Sequence, residues 1–295
     1  MEQMKRTPQL PRQVAPRLIP CLLLAFQATC LAGAGKADTD GRVALVGGWR
    51  PLFEGIEHAE LRATAPRTMC GQALRVDLKQ PGIEFVATPS NGDRPAETDG
   101  LKTSTFLARH HCQAAINAAP FSPIVGKEGQ PQDVQGLQVA QGELVSSPTN
   151  YPALLISKDN RASIASPPFQ LDGVWNAVGG FSLVLQGGEV LGKDQPLHPR
   201  TAAGVSKDGR YLILLVIDGR QPGHSEGAST SEVGQWLKLL GAWDGINLDG
   251  GGTATMAMAD ADGKPKLLNR PIHGGVPGTE RVAASHLGVR APRLK

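Results

Sequence analysis

The sequence predicts an α+β fold, in which a mixed, hairpin-rich β-sheet carries packed helices in a single domain. The first observation is composition: 36 glycines and 23 prolines among 295 residues favour short strands joined by tight turns and exclude a helical bundle. The second is a series of short apolar runs flanked by turn residues. The third is a well-marked helix set between two of these runs.

Strands are predicted where short apolar runs alternate with polar residues or stand between turn signals. The predicted strands are 74–78, 83–87, 114–116, 153–157, 162–165, 183–186, 190–191, 202–206, 211–217 and 245–249. The run 211–217 is apolar throughout, so we expect that strand to be covered on both faces.

Two helices are predicted. The first is a candidate over 103–112, where apolar residues recur at helical spacing. The second begins at a capping box formed by Ser229 and Glu232, and Gly241 ends it. Because this helix joins the strands 211–217 and 245–249, it predicts a crossover connection inside a mixed sheet.

The N-terminal 34 residues have the layout of a secretory signal peptide. Basic residues come first, an apolar run follows over 18–31, and small residues occupy 32–34. The run is too short to form a stable membrane span, although retention as an anchor is the alternative. We therefore predict a periplasmic or secreted protein with a signal peptide at 1–34, an N-terminal extension at 35–69 and one catalytic domain at 70–295.

The charge distribution argues against nucleic-acid binding. The formal net charge of +3 is accounted for by four basic residues and one acidic residue within 1–34, so the rest of the chain is neutral. A nucleic-acid-binding surface needs a net positive charge to displace counterions. We therefore expect no nucleic-acid partner.

Two cysteines, Cys70 and Cys112, remain beyond the predicted signal peptide. An exported protein folds in an oxidising compartment, so the sequence favours a disulfide between them; two separate buried thiols are the alternative. His110 and His111 precede Cys112 and suggest a metal site or a thiol nucleophile, but no other residues complete a ligand spacing.

Two apolar strands end in an aspartate followed by glycine, at Asp218 and at Asn247-Leu248-Asp249. Three consecutive glycines, 250–252, follow Asp249, and glycine lets backbone N–H groups approach a ligand closely. Strands joined by one crossover helix would place both acids at the same end of the sheet. We interpret the pair as a site, with two ordinary Asp-Gly turns as the alternative.

Arg200 and Arg220 are the natural anion-binding candidates because a guanidinium is planar, charged and bidentate towards phosphate. We assign Glu232 to the helix-capping box and not to catalysis, because the capping role explains its position fully. Asp260 and Asp262 imitate the start of a calcium loop but lack the remaining ligands, so they predict a hairpin turn.

Residues 70–290 resemble the phosphodiester glycosidases, a family with many exported bacterial members. The motifs that carry the resemblance are Ala115-Ile116-Asn117, 198–202, 216–220, 247–256, 269–271 and Glu280-Arg281. The resemblance implies exo-hydrolysis of the bond between sugar C1 and a phosphate oxygen, which releases free sugar and a phosphomonoester. The expected partner is a glycosyl phosphodiester or a phosphorylated glycan.

This chemistry assigns a role to each candidate residue. A phosphomonoester, whose second pKa is about 6, leaves readily when cations such as Arg200 and Arg220 stabilise it. Asp249 would activate water or attack the anomeric carbon, and Asp218 would orient sugar hydroxyls or share the acid–base work. The remaining substrate-binding candidates are Asn117, Thr201, Asn247, Gly250, Gly251, Gly252 and Thr253. No cofactor is required, although a divalent cation is compatible with the two acids.

Two other functions are compatible with the same residues. A metal-dependent phosphodiesterase would attack phosphorus and hold its cation between Asp218 and Asp249. A noncatalytic envelope protein would bind phosphorylated glycans, but aromatic residues, which form sugar-stacking surfaces, make up only 4% of the chain.

Overall fold

The computed structural model describes residues 43–294, so the predicted signal peptide lies outside the described residues. The first twelve strands are β1 (Val43–Phe53), β2 (Ile56–Ala63), β3 (Met69–Asp77), β4 (Glu84–Ala87), β5 (Thr98–Asp99), β6 (Ala114–Asn117), β7 (Phe121–Ser122), β8 (Pro131–Val134), β9 (Gln138–Ala140), β10 (Glu143–Ser146), β11 (Ala153–Ser157) and β12 (Ala162–Ala165). The others are β13 (Val174–Gly179), β14 (Ser182–Gln186), β15 (Glu189–Val190), β16 (Arg200–Ser206), β17 (Tyr211–Ile217), β18 (Ala242–Asn247), β19 (Met256–Ala259), β20 (Pro265–Leu267), β21 (Ile272–His273), β22 (Val276–Pro277) and β23 (His286–Arg290). The helices are α1 (Thr103–Arg109), α2 (Thr230–Leu239) and a 3₁₀ turn at Gly251–Thr253.

The predicted α+β class is wrong, because the described residues form a mostly β structure with only two α-helices. The largest sheet has eight strands in the order β1-β2-β3-β17-β16-β18-β14-β15, and two five-stranded sheets run β10-β9-β13-β11-β12 and β20-β19-β6-β23-β4. Residues 43–63, inside the predicted extension, form the first two strands of the largest sheet.

The predicted mixed sheet fails for a specific reason. The crossover through α2 does make β17 and β18 run in the same direction, but β16 lies between them and pairs antiparallel with both. Every ladder in the described chain is therefore antiparallel. The arrangement still brings the carboxyl ends of β17 and β18 to one end of the sheet, beside the start of β16 at Arg200.

The α2 helix packs against one face of this sheet. Its capping box is confirmed: the Ser229 side chain accepts from the Glu232 N–H, and the Glu232 carboxylate accepts from the Ser229 N–H. Gly241 follows the helix with a φ of 99°, as expected for a helix stop. Trp236 lies so close to Gly71 in β3 that a Cβ there would come within 2.5 Å of the indole, so only glycine fits.

The β17 strand is buried on both faces, as its apolar sequence predicts. Leu212, Leu214 and Val216 lie in the central core between the large sheet and the five-stranded sheets. The alternate residues Ile213 and Leu215 pack against α2. A strand with two buried faces has a strongly specified register, which fixes where the chain leaves the strand at Asp218.

The predicted disulfide is wrong: Cys70 and Cys112 are both buried and both free. Cys70 belongs to β3, where its thiol donates to the His224 carbonyl at 3.2 Å. Cys112 lies against Gly288 in the second five-stranded sheet, where a Cβ would come within 2.4 Å of its sulfur. The two thiols therefore pack in different parts of the fold, and burial raises the pKa of Cys112 to about 12, which argues against a nucleophilic role.

Candidate active site

Asp249 leaves the end of β18 and is held there by two backbone bonds. The Leu248 N–H donates to the Thr201 carbonyl at 2.9 Å, and the Asp249 N–H donates to the Ala118 carbonyl at 2.8 Å. The side chain is 13% exposed, so the carboxylate is largely shielded but still reaches the surface of the site.

The Asp249 carboxylate has two side-chain partners. The Thr253 hydroxyl donates to Oδ2 at 2.6 Å, and Arg281 lies 3.4 Å from the same oxygen. Burial raises the pKa of Asp249 above its ordinary value, and the Thr253 hydrogen bond and the Arg281 charge oppose that rise. The result is a basic carboxylate with one oxygen engaged, which is the state a general base or nucleophile needs.

The three glycines after Asp249 lie in close contact with other segments, and the first two occupy positions that disfavour a side chain. A Cβ at Gly250 would lie 2.5 Å from the Pro199 carbonyl oxygen. Gly251 has a φ of 65° and lies beside the Arg220 guanidinium, and Gly252 lies against His273 and Arg281. The predicted glycine turn is therefore the point where four chain segments converge.

Asn117 and Thr201 form the framework beneath this turn. Asn117 is fully buried, and its Nδ2 donates to the Asp249 carbonyl at 2.7 Å. Its Oδ1 accepts from the Thr201 hydroxyl at 2.7 Å and from the Thr255 N–H at 3.1 Å. Both the nitrogen and the oxygen of the Asn117 amide therefore have partners within the protein. The sugar contacts predicted for Asn117 and Thr201 stay predictions.

Asn247 is also buried, at the last position of β18. Its Nδ2 donates to the Leu248 carbonyl at 3.1 Å, whereas its Oδ1 has no partner among residues 43–294. Its predicted sugar contact stays a prediction.

Asp218 is 4% exposed and its two carboxylate oxygens accept several hydrogen bonds. His224 Nε2 lies 2.9 Å from Oδ2, Asn269 Nδ2 donates to Oδ1 at 2.8 Å, and the Arg270 N–H lies 3.1 Å from both oxygens. Burial raises the pKa of Asp218, while these bonds oppose the rise. Unlike Asp249, this acid is enclosed by its own chain.

The segment 269–281 begins at Asn269 and Arg270, which donate to the Asp218 carboxylate. It then passes the glycine turn and places His273 beside Gly252 and Arg281 beside Asp249. Sequence reasoning noted residues 269–271 and Glu280-Arg281 as motifs but assigned them no role, and it missed His224. Nothing in the local pattern signals His224, whose partner lies six residues away across a loop.

Arg200 and Arg220 lie in one cationic cluster with His198. Arg220 approaches His198 Nδ1 at 3.2 Å, and Arg200 donates to the Ala228 and Pro196 carbonyls. Burial and the nearby Arg220 charge lower the pKa of Arg200 from its usual value, and burial and both arginines lower the pKa of His198. No carboxylate in the described part of the chain forms an ion pair with either arginine, so the cluster is suited to an external anion.

A model of the phosphodiester glycosidase family matches residues 110–290, which include Asn117, both acids and both arginines. The chain belongs to the phosphodiester glycosidase family. It is therefore a hydrolase of the glycosidase type, from a family that acts on glycosyl phosphodiesters. No curated protein sequence matches the chain.

Solved structures share the fold of this phosphodiester glycosidase at low identity. The catalytic domain of zebrafish N-acetylglucosamine-1-phosphodiester α-N-acetylglucosaminidase, auto-inhibited by its pro-peptide, is 19% identical, with a TM-score of 0.59 over 87% of this chain and 86% of that one. A Burkholderia pseudomallei protein described as exported is 17% identical, with a TM-score of 0.58 over 78% and 76%. A hypothetical protein from Synechocystis is 16% identical, with a TM-score of 0.60 over 80% of this chain but only 62% of its own length.

In this phosphodiester glycosidase, the groups around Asp218 and Asp249 do not suit a metal ion that bridges the two carboxylates. N–H groups occupy the positions around the Asp218 oxygens where a cation would bind. Within residues 43–294, no group of three histidine, cysteine or acidic side chains is arranged to hold a metal ion. In the same residues, no helix is long and apolar enough to cross a membrane.

Replacing Asp218 by asparagine should destabilise the protein by about 2–4 kcal/mol, because one of two hydrogen-bond acceptors becomes a donor that faces other donors. We expect a higher KM from the displaced 269–281 segment, with a much smaller change in kcat. Chemical denaturation and steady-state kinetics on the folded variant measure the two effects.

Asp260→Asn is the matched control. Asp260 uses only Oδ1, which accepts from the Asp262 and Lys264 N–H groups at 2.9 Å, so an asparagine oxygen replaces it fully. An Asp218→Asn variant of normal stability that lost kcat would instead show that Asp218 acts in the chemical step.

Proposed function

We propose that this protein hydrolyses the bond between sugar C1 and the phosphate oxygen of a glycosyl phosphodiester, releasing free sugar and a phosphomonoester. One observation carries the proposal: a cationic cluster that has no acidic partner among residues 43–294 adjoins the glycine turn that follows the partly buried Asp249. Arg220 lies against Gly251, two residues after Asp249. An anion-binding group and a basic carboxylate are therefore set side by side.

Arg200 and Arg220 would stabilise the departing phosphate. The phosphomonoester leaves as an anion, so positive charge near it lowers the barrier without a strong general acid. Burial, and after it the nearby Arg220 charge, lower the pKa of Arg200, and an anion bound between the two arginines would offset both effects.

Asp249 would act at the anomeric carbon, either by activating water or as the nucleophile. Its side chain is 13% exposed and its Oδ1 accepts from no side chain of the described residues, whereas both oxygens of Asp218 accept hydrogen bonds from the protein. Asp218 then acts as a positioning residue, because it anchors the segment that carries Arg281 to Asp249. This assignment separates two acids that the sequence presents as equivalents.

We also propose that the protein is exported to the periplasm or secreted. Two observations support this: residues 1–34 have the layout of a signal peptide, and one structural relative is described as an exported protein. A fusion of residues 1–34 to a reporter enzyme tests this proposal. The reporter should be found in the periplasm or the medium, and a reporter that stays in the cytoplasm would contradict it.

The position of bond cleavage tests the function most directly. Hydrolysis of sugar-1-phosphodiesters in ¹⁸O-water should place the label in the released sugar, because water ends on the anomeric carbon. Mass spectrometry of both products measures it. Label in the phosphomonoester would overturn the glycosidase proposal and establish attack on phosphorus. If none of a panel of sugar-1-phosphodiesters is hydrolysed, that result counts against this substrate class.

Arg220→Gln should lower kcat/KM by about 10²–10³, as expected when one charge-stabilising donor is removed from a site. Glutamine keeps a long polar side chain and tolerates the φ of 58° no worse than arginine does. Inhibition by inorganic phosphate should weaken in parallel. The control is Arg210→Gln, in which the lost guanidinium pairs with Asp77 at the opposite end of β17.

The pH profile reports on Asp249, which must be ionised to act. Activity should fall as the pH drops through a pKa raised above the usual aspartate value. Thr253→Val removes the hydrogen bond that favours the charged form, so the pKa rises further and the acid limb of kcat/KM moves to higher pH.

Thr255→Val is the matched control for this shift. Thr255 is equally buried, but its hydroxyl has no partner among the described residues. Its replacement should leave the acid limb in place. An unmoved acid limb in Thr253→Val would show that Asp249 is not the group that titrates.

A further inference from the structure

An aromatic pair lies at the same end of the large sheet as the candidate active site. Phe181 directly precedes β14, and its N–H donates at 2.8 Å to the carbonyl of Asn247, the last residue of β18. Asp249 follows Asn247 by two residues. The Phe181 ring contacts the Tyr151 ring edge to face, with 5.7 Å between their centroids. The proposed hydrolysis gives neither aromatic residue a role.

The strand order sets this pair and the cationic cluster on opposite sides of Asp249. The β18 strand, which leads to Asp249, lies between β16 and β14. Arg200 begins β16 on one side, and Phe181 precedes β14 on the other. Neighbouring strands lie about 4.8 Å apart, so these two backbone positions are separated by about 10 Å across the sheet. The strand that leads to Asp249 is therefore flanked by positive charge on one side and by aromatic surface on the other.

A second series of contacts connects the aromatic pair to Asp249. Arg281, which lies 3.4 Å from the Asp249 carboxylate, also lies over the Phe121 ring, 5.7 Å from its centroid. Phe121 pairs with the last residue of β8. Gly136 follows that strand by two residues, and a Cβ there would lie 3.6 Å from the Tyr151 ring. These neighbours form an arc that begins and ends beside Asp249.

Phe181 has aromatic surface left for a ligand. It is 44% exposed, which makes it the most exposed phenylalanine of residues 43–294. Its edge-to-face contact with Tyr151 covers at most one face of its ring. Phe121 differs, because the Arg281 guanidinium covers one of its faces. An apolar part of a substrate held at Asp249 would therefore gain most by packing against Phe181.

A glycosyl phosphodiester has two chemically different halves that match the two sides of Asp249. Its phosphate is negatively charged and suits Arg200 and Arg220. Its sugar ring has a face of C–H groups, which is attracted to the negative face of an aromatic ring. The anomeric carbon joins the two halves and must lie at Asp249. With the phosphate at the arginines, the sugar extends to the other side of Asp249, where Phe181 lies.

We propose that Phe181 and Tyr151 form the subsite for the sugar ring, a proposal that rests on the proposed hydrolysis. The Phe181 ring packs against the C–H face of a pyranose, and the edge-to-face contact with Tyr151 fixes the angle of that ring. The subsite holds the anomeric carbon at Asp249 while the arginines hold the phosphate. Recognition of the sugar and recognition of the phosphate are therefore separate functions of two strand ends.

Hydrolysis of the methyl 1-phosphodiesters of N-acetylglucosamine, glucose, galactose and mannose tests this subsite, because the sugar is then the only ring in the substrate. For the best substrate of the wild-type protein, Phe181→Ala should raise KM about tenfold or more, with a much smaller change in kcat. The ring is exposed, so the variant should fold normally. Inhibition by inorganic phosphate should be unchanged, because phosphate binds at the arginines.

Two further variants complete the design. Trp243→Ala is the matched control, because that indole is 36% exposed and lies near the opposite end of β18. Its loss should change neither KM nor inhibition by phosphate. Phe181→Tyr keeps an aromatic ring at the subsite and should retain a KM close to that of the wild-type protein.

The outcomes separate the subsite from the hydrolysis on which it rests. A wild-type protein that hydrolyses none of the four substrates would overturn both proposals. Hydrolysis with the same KM in Phe181→Ala as in the wild-type protein would overturn the subsite alone. Weaker inhibition by phosphate in Phe181→Ala would also overturn it, because the ring would then support the arginine cluster instead of binding the sugar.

Discussion

The Asn117 side chain joins the parts of the molecule on which the site depends. Its carbonyl oxygen accepts from Thr201 in β16 and from the Thr255 N–H, and its amide donates to the Asp249 carbonyl. One buried amide thus connects two sheets and the glycine turn after Asp249. Because an unpaired buried amide is costly, this network specifies a single arrangement of the three segments.

On this framework the protein separates two acids by their surroundings. Asp218 and Asp249 both follow a buried strand, and burial raises the pKa of each. Both oxygens of Asp218 accept hydrogen bonds from the chain, whereas the two side-chain partners of Asp249, Thr253 and Arg281, contact the same oxygen. Two identical side chains at equivalent strand ends therefore have different surroundings, which is why we propose different roles for them.

Local features of the fold were predictable from the sequence because they depend on neighbouring residues. The α2 capping box, its glycine stop and the doubly buried β17 strand are all confirmed. The fold class was not, because one helix between two strands predicts a mixed sheet, and only tertiary pairing inserts β16 between them. The predicted disulfide is wrong for a similar reason: the cysteine count indicates a pair, but the folded chain places Cys70 in β3 and Cys112 after α1, against β23.

By itself, the sequence determined which residues could carry the chemistry: two acids at strand ends, three glycines after one of them, and two arginines near the same strands. The tertiary structure alone decided how they are used. Asn269 and Arg270, some fifty residues after Asp218, close around its oxygens, and Arg281 reaches Asp249 from 32 positions away. Hydrogen bonds over such separations leave no periodicity in the sequence, since they depend on the path of the folded chain.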